Sequence, residues 1–393
     1  MYYILIFLFF AIATNIVYKN PNTPKYRQLI KIAGAIFVLF AGLRYELGVD
    51  FFAYKRHLNE SPTFFNFLKD TDDIYFEPGY KLFLSLIKTF TDEVQILLLA
   101  SSMFCTYILF RFLKEHVPHK YMFLSLLTYF FSTYMLMEMQ ALRQAMAAGI
   151  IYLGYNYLIK DDKRNAFLCV LAAFTFHSSA LFFFPIFLFL DKKINYYLQF
   201  SLLAVSIVVF VTQIDVISVA LERLADIIPN ASMALRMATY LGGDANERGV
   251  NIMFFVYLTF FIWLCYINHR IKYYDKNKLY IVGHNLVWLF LVFSALFWKI
   301  NYLSTRIGWY FLIGFSLMIP ILIENTRKRQ VALIFVFMIN LNLARHFVIP
   351  DGTTIVFAPY ESYIECKWFG VTPTGKQRAE EYLLSNGGYL RED

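Results

Sequence analysis

Long apolar runs, separated by short polar and basic stretches, dominate this chain of 393 residues. A helix needs about 20 predominantly apolar residues to cross the hydrocarbon of a bilayer, with about 17 as a lower limit. The runs that approach this length lie at 2–18, 29–43, 94–113, 121–137, 141–159, 165–190, 196–212, 251–268, 279–298, 303–323 and 331–349. The pattern predicts an all-α fold, a polytopic transmembrane helical bundle.

The basic residues predict the orientation of this bundle, because Lys and Arg concentrate in cytoplasmic loops. The first connection carries Lys19, Lys25, Arg27 and Lys31, which predicts an inside position for it and an outside position for the N-terminus. Further inside clusters are expected at 111–120, 160–164, 270–278 and 327–329. The loops 44–93 and 213–250 are then expected to face outward.

One apolar run does not fit a simple alternation of crossings. The number of crossings between two inside clusters must be even, but only three runs lie between Arg164 and Arg270. We expect the run 165–190 to be a broken or re-entrant hairpin with His177 at its tip, because Thr175, Ser178 and Ser179 interrupt it. Each arm would be only about 18 Å long, so the tip would lie in a recess below the outer surface. This gives about 11–12 crossings with both termini outside.

The predicted organisation is a transmembrane domain over 1–350 and a short soluble C-terminal tail over 351–393. Within the first outward loop, the short apolar run 80–90 predicts an interfacial or re-entrant helix rather than a span. In the tail, a Thr at 372 or 374 and the two glycines at 387 and 388 predict the start and the end of one short helix.

Composition excludes several other classes of protein. Hydrophobic residues make up 59% and charged residues 16% of the chain, against roughly 25% charged in soluble domains. The net charge of +8 is spread over short clusters between apolar runs, so nucleic acid is not an expected partner. The four cysteines have no paired spacing, and no metal-ligand spacing or glycine-rich phosphate loop occurs, so neither a metal nor a cofactor is expected.

Seven polar residues near the outer ends of the predicted helices are candidates for a functional site. An ionisable side chain at membrane depth costs about 2.5–3.5 kcal/mol, so it needs a partner, a cavity or a function. The candidates are Arg44, Asp50, Tyr54, Glu77, Arg143, His177 and Arg306. Several arginines beside a histidine and carboxylates predict a site for a phosphate-bearing substrate, since guanidinium binds phosphate through two parallel hydrogen bonds.

Structural interpretations compete with these functional ones. Arg44 and Arg306 could snorkel to the interface, and His177 could be a hydrogen-bonded core histidine. Glu77 could simply open the helix that follows it. Arg143 could pair with the nearby glutamate at 138, although the small residues after it favour close packing against another helix.

Five short motifs follow one another along the chain, namely GLRYELGVDFFAY at 42–54, FEPGY at 76–80, ALRQAMA at 141–147, FHSSAL at 176–181 and TRIGWY at 305–310. Their order resembles the EpsG family of Wzy-like polymerases of bacterial exopolysaccharide, capsule and O-antigen. The resemblance covers residues 1–350, and the tail after Pro359 adds nothing to it.

The resemblance implies a multi-pass glycosyltransferase of the bacterial inner membrane. It would transfer a growing glycan from undecaprenyl diphosphate to a new lipid-linked repeat unit at the outer face, without a metal or cofactor. The residues expected to bind the diphosphate and the sugars are Arg44, Tyr54, Arg143 and Arg306. The candidates for the general base are His177, Asp50 and Glu77, and the choice among them stays open. The expected partners are the undecaprenyl-diphosphate-linked oligosaccharide, membrane lipid and a chain-length regulator, with no nucleic acid.

Other functions remain as alternatives. A flippase or transporter of the same lipid-linked oligosaccharide would also need cations in a cavity, but those cations would be accessible from both faces. An O-antigen ligase, which joins glycan to the lipid A core, is a nearer enzymatic alternative, and a sugar O-acetyltransferase is a more distant one.

Overall fold

The computed structural model describes residues 1–67, 77–215, 217, 219, 252–271, 277–298, 301–350 and 352–385. Among these residues the regular elements are helices, and one isolated antiparallel bridge joins Arg44 and Ser362. The predicted all-α helical bundle is therefore confirmed. The outward loop predicted at 213–250 lies mostly outside the described residues.

The chain forms two compact units, one of Met1–Leu188 with Leu333–Asp393 and the other of Phe189–Ala332. The first unit contains α1 (Tyr2–Lys19), α2 (Tyr26–Gly42), α3 (Phe51–Glu60), α4 (Pro78–Lys88), α5 (Val94–His116), α6 (Met122–Tyr129), α7 (Met135–Met137), α8 (Leu142–Ile159), α9 (Lys163–Phe174) and α10 (Phe183–Phe187). The second contains α11 (Tyr196–Thr212), α12 (Ile252–Ile271), α13 (Lys278–Leu296), α14 (Asn301–Phe311) and α15 (Ile313–Asn325). Helix α16 (Arg329–Val348) leads back to the first unit, which ends with α17 (Tyr363–Trp368) and α18 (Gly375–Ser385).

Five of the described helices are long and apolar enough to cross a membrane, namely α1, α5, α12, α13 and α16. A sixth span is added if Ser304–Phe311 and Ile313–Asn325, which meet at a bend of 41°, count as one crossing. Fewer helices than predicted runs pass this test because several runs are short or interrupted. Helices α2 and α11 have 17 residues each, and a π-helical turn at Phe130–Tyr134 divides the run 121–137. The chain is a multi-pass membrane protein, and its number of crossings stays a prediction.

The predicted hairpin in the run 165–190 is confirmed. Helix α9 ends at Phe174, and a 3-10 turn at Ser178–Phe182 leads into α10. The ring of Phe167 in the first arm lies 5.0 Å from that of Phe184 in the second, so the arms run antiparallel against each other. His177 lies at the tip between them. The break is formed where polar side chains replace apolar ones, and the Thr175 hydroxyl donates to the carbonyl of Ala172.

Residues 352–385 pack against one end of the first unit, which we call the tail-covered end. Tyr360 stacks on Phe40 with ring centroids 4.1 Å apart, and the Tyr363 amide donates to the carbonyl of Leu43 at 2.7 Å. Within the segment, buried Arg378 and Glu361 form an ion pair of 3.1 Å. Helix α1 begins at this end, and α2 ends here. The N-terminus, the residues after α2 and the C-terminal segment therefore share one end, as the predicted topology requires.

The opposite end of the first unit carries the basic clusters that the sequence predicts to be inside, and we call it the basic end. Tyr18 at the end of α1 contacts Tyr121, and their ring centroids are 5.8 Å apart. At the junction of α8 and α9, Lys160 forms an ion pair of 2.5 Å with Glu115 at the end of α5. Helices α1, α5 and α8 thus all end here, which gathers basic residues from separate loops on one side.

Aromatic rings fill the interior between these two ends. Phe37 of α2 is fully buried, and its ring centroid lies 4.7 Å from that of Tyr134 and 5.3 Å from those of Phe110 and Phe130. Since lipid is as apolar as these side chains, helices associate in a membrane through close packing and hydrogen bonds. The Tyr134 hydroxyl supplies one such bond, donating to the carbonyl of Phe37 at 2.5 Å.

We expect the two ends to lie on opposite sides of the membrane. In a background without native cysteines, Thr372→Cys in the C-terminal segment should react with an impermeant maleimide applied to intact spheroplasts. Asn22→Cys, an exposed position at the basic end, should react only after permeabilisation. Labelling of both positions in intact spheroplasts, or of position 22 alone, would contradict the predicted topology.

Candidate active site

The start of α4 lies directly against the tip of the hairpin. Glu77 precedes the helix, and the backbone N–H groups of Gly79 and Tyr80 both donate to the carbonyl of Thr175, at 2.7 and 3.2 Å. The first N–H groups of any helix have no acceptor within that helix, so the hairpin supplies one. A Cβ at Gly79 would lie 2.3 Å from the Thr175 hydroxyl oxygen, so this approach requires glycine.

The Glu77 carboxylate joins the hairpin tip to the start of α8. Its Oε1 accepts from the backbone N–H of Ser178 at 3.0 Å, and its Oε2 accepts from Arg143 Nη1 at 2.9 Å. The side chains of Glu77 and Arg143 are 17% and 30% exposed, so the ion pair is partly shielded from solvent. The structure thus brings together Glu77, Arg143 and the residue next to His177, which belong to three of the sequence motifs.

The alternative partner for Arg143 does not form this contact. Glu138 is buried inside the bundle, where its Oε1 lies 3.5 Å from the Tyr129 hydroxyl. The pairing of Arg143 with Glu138 that the sequence left open is therefore wrong, because the chain turns between the two residues and directs them to different surroundings.

Tyr54 positions the first turn of α8. Its hydroxyl donates to the carbonyl of Gln140 at 2.8 Å and accepts from the backbone N–H of Leu142, also at 2.8 Å. Leu142 is the first residue of the helix, and Arg143 follows it. Tyr54, expected from the sequence to bind substrate, lies buried here and fixes the backbone that carries Arg143.

Two further rings surround the Arg143 side chain. Its guanidinium lies over the ring of buried Tyr80, 5.6 Å from the centroid. His57 lies between the two tyrosines, with its ring 6.0 Å from Tyr54 and 6.3 Å from Tyr80. Burial and the positive charges of Arg143 and Arg56 lower the pKa of His57 to about 3, so its ring is neutral near pH 7.

Sequence reasoning did not select His57 or Tyr80 as site residues, although a signal for His57 was present. His57 follows Tyr54 by three residues, and residues three apart in a helix share a face. The signal for Tyr80 was the FEPGY motif itself, in which Tyr80 follows the glycine that contacts the hairpin.

His177 is held at the hairpin tip by its neighbour Ser179. The backbone N–H of Ser179 donates to Nδ1 of His177 at 3.2 Å, and the Ser179 hydroxyl lies 2.7 Å from the same nitrogen. Because Nδ1 accepts a hydrogen bond, the neutral ring carries its proton on Nε2. In this tautomer the outer nitrogen of His177 is a donor, suited to an anionic oxygen.

Arg44 lies inside the bundle at the tail-covered end rather than at the lipid interface. It is 1% exposed, and its Nη1 donates to the carbonyl of Ala41 at 2.6 Å. Its Nε and Nη2 have no hydrogen-bond partner among the described residues. Its guanidinium interacts electrostatically with four ionisable side chains, those of Tyr54, Tyr134, Tyr360 and Glu138. The snorkelling interpretation of Arg44 is therefore wrong, because residues 360–363 cover the end of α2.

The two remaining candidates occupy different places. Asp50 precedes α3. Burial raises the pKa of the Tyr80 hydroxyl, the negative charges of Asp50 and Glu77 raise it further, and the positive charge of Arg143 lowers it. Arg306 belongs to the second unit, where its guanidinium lies over the ring of Trp309, 5.4 Å from the centroid. Its predicted contribution to a diphosphate site stays a prediction.

The helical fold and this cluster of charged and aromatic residues define a multi-pass membrane protein with a polar site beside a broken helical hairpin. The chain belongs to the EpsG family, whose model matches residues 28–362 of 393. This is a family of Wzy-like polymerases. The matched region contains all five motifs and extends into the segment that covers Arg44. No curated protein and no solved structure matches the chain.

We expect Tyr54→Phe to destabilise the first unit, because removal of the hydroxyl leaves the Gln140 carbonyl and the Leu142 N–H without their partner. A buried group left unpaired costs about 1–3 kcal/mol. Unfolding in one detergent should show a loss of this size. Tyr107→Phe, at a tyrosine that is 65% exposed, is the matched control and should change nothing. Equal stability of both variants and the parent would contradict the role of Tyr54.

Proposed function

We propose that this protein polymerises oligosaccharide repeat units carried on undecaprenyl diphosphate, at the outer face of the bacterial inner membrane. The proposal rests on membership of the EpsG family and on one observation, the ion pair of Glu77 and Arg143 beside the hairpin tip. The product would be O-antigen, capsule or exopolysaccharide.

The chemistry of the transfer matches the two charges of this pair. The leaving group is a lipid diphosphate, and the planar guanidinium of Arg143 can bind two of its oxygens while negative charge develops on them. The nucleophile is a sugar hydroxyl, which attacks more readily when a carboxylate accepts its proton. One pair of side chains therefore offers a group for each reactant.

In the proposed step, the acceptor hydroxyl oxygen bonds to the anomeric carbon of the glycan as the bond from that carbon to the diphosphate oxygen breaks. The hydroxyl proton passes to Glu77, which we select among the three predicted bases because it contacts Arg143 directly. Protonation removes the charge of Glu77 and weakens its ion pair. The Arg143 guanidinium is then available to the leaving diphosphate.

The other site residues take supporting roles in this proposal. His177 donates from Nε2 to a diphosphate oxygen, which fits the tautomer that Ser179 selects better than the role of a base. Asp50 orients the acceptor sugar. Arg44 supplies further positive charge for the diphosphate, and Tyr54 positions Arg143 through the backbone.

The test is complementation of a strain that lacks the gene, followed by analysis of the surface glycan. Arg143→Lys keeps the charge but not the planar fork, so we expect chain elongation to fall by about 100-fold at normal protein level. Single repeat units should remain on the carrier or acceptor. Arg164→Lys, at an exposed arginine of the basic end, is the control and should restore full-length glycan.

Other outcomes of the same experiment would overturn the proposal. Long chains that accumulate on carrier lipid in the deletion strain would indicate a ligase, and repeat units left facing the cytoplasm would indicate a flippase. Near-normal glycan from Arg143→Lys would show that Arg143 has a structural role only.

A further inference from the structure

A lateral groove lies between α2 and α5, away from the candidate active site. Its volume is 670 Å³, and apolar side chains form most of its wall. Ile30, Gly34 and Val38 follow one another at intervals of four along α2, with Met103, Tyr107 and Phe110 opposite them on α5. Gly34 leaves room in the wall, because a Cβ there would meet only Phe110, at 3.8 Å.

The groove has a positively charged mouth at the basic end. Arg111 and Lys114 line it there, are exposed, and have no ion pair among the described residues. The acidic residue beside them, Glu115, is paired with Lys160 at 2.5 Å. The mouth therefore presents two uncompensated positive charges next to the apolar groove.

The groove opens toward the membrane. Met103 is 58% and Tyr107 65% exposed in a helix that is long and apolar enough to span a bilayer. From Met103 to Lys114 the wall extends about 16 Å along the helix axis. An acyl chain fits such a surface, and a headgroup at its mouth would lie at the level of Arg111 and Lys114.

We propose that this groove binds an anionic phospholipid of the leaflet at the basic end. The positive charge of the mouth favours a lipid whose headgroup has a negative phosphate and no positive group of its own. Basic residues between transmembrane helices attract anionic lipids in this way. The undecaprenyl carrier is the competing ligand, because it also has a phosphate group and a long apolar chain. The phospholipid is the better fit because Arg143 lies about 26 Å from this end along α8, so the groove is separate from the transfer site.

The test is native mass spectrometry of the purified full-length protein, titrated with dimyristoyl phosphatidylglycerol or dimyristoyl phosphatidylcholine. We expect the parent to retain phosphatidylglycerol preferentially. The double variant Arg111→Gln with Lys114→Gln should bind it about 30-fold more weakly. Lys19→Gln with Lys25→Gln removes the same charge from exposed positions of the same end and should leave binding unchanged.

A second variant tests the apolar part. Gly34→Leu should fill the groove and weaken retention of both lipids, and it should not harm folding, because Leu has a higher helix propensity than Gly. Equal binding of the two lipids, an equal loss in the Lys19 and Lys25 control, or full retention by Gly34→Leu would overturn the proposal. Tighter binding of undecaprenyl phosphate than of phosphatidylglycerol would also overturn it, in favour of the carrier.

Discussion

The start of α4 and the tip of the hairpin satisfy each other's unpaired backbone groups. A helix cannot break inside a membrane bundle unless other groups bind the exposed N–H and C=O groups. Here the Thr175 carbonyl accepts from two N–H groups of α4, and the N–H of Ser178 donates to the carboxylate of Glu77. The absence of a side chain at Gly79 makes this contact possible, so the break, the helix start and the ion pair with Arg143 depend on one another.

This contact explains why charged residues collect beside an otherwise apolar bundle. Glu77 is held by the hairpin on one side and by Arg143 on the other, and Tyr54 fixes the backbone from which Arg143 extends. Each charge therefore has a partner, which reduces the cost of placing it near the membrane. The same arrangement leaves a guanidinium and a carboxylate adjacent, the two groups that the proposed transfer uses.

The sequence predicted features that leave a pattern along the chain. The helical bundle follows from the apolar runs, and the hairpin tip follows from Thr175, His177 and Ser178 inside one of them. The pairing of Glu77 with Arg143 was not predictable, because it joins residues 66 positions apart whose approach depends on Gly79. The burial of Arg44 was missed for a similar reason, since Tyr360 and its neighbours cover it from the far end of the chain.

The contact between Gly79 and Thr175 is tested most directly by adding one methyl group at position 79. A Cβ there would lie 2.3 Å from the Thr175 hydroxyl oxygen and 2.9 Å from the Thr175 carbonyl oxygen, so Gly79→Ala cannot keep the contact. We expect Gly79→Ala to lower the free energy of unfolding by about 1–3 kcal/mol, because the N–H groups at the start of α4 lose their acceptor. Without this contact the same substitution would raise the free energy of unfolding, because Ala has a higher helix propensity than Gly. Unfolding of Gly79→Ala and the parent in one detergent decides between the two, and equal or higher stability of Gly79→Ala would contradict the account.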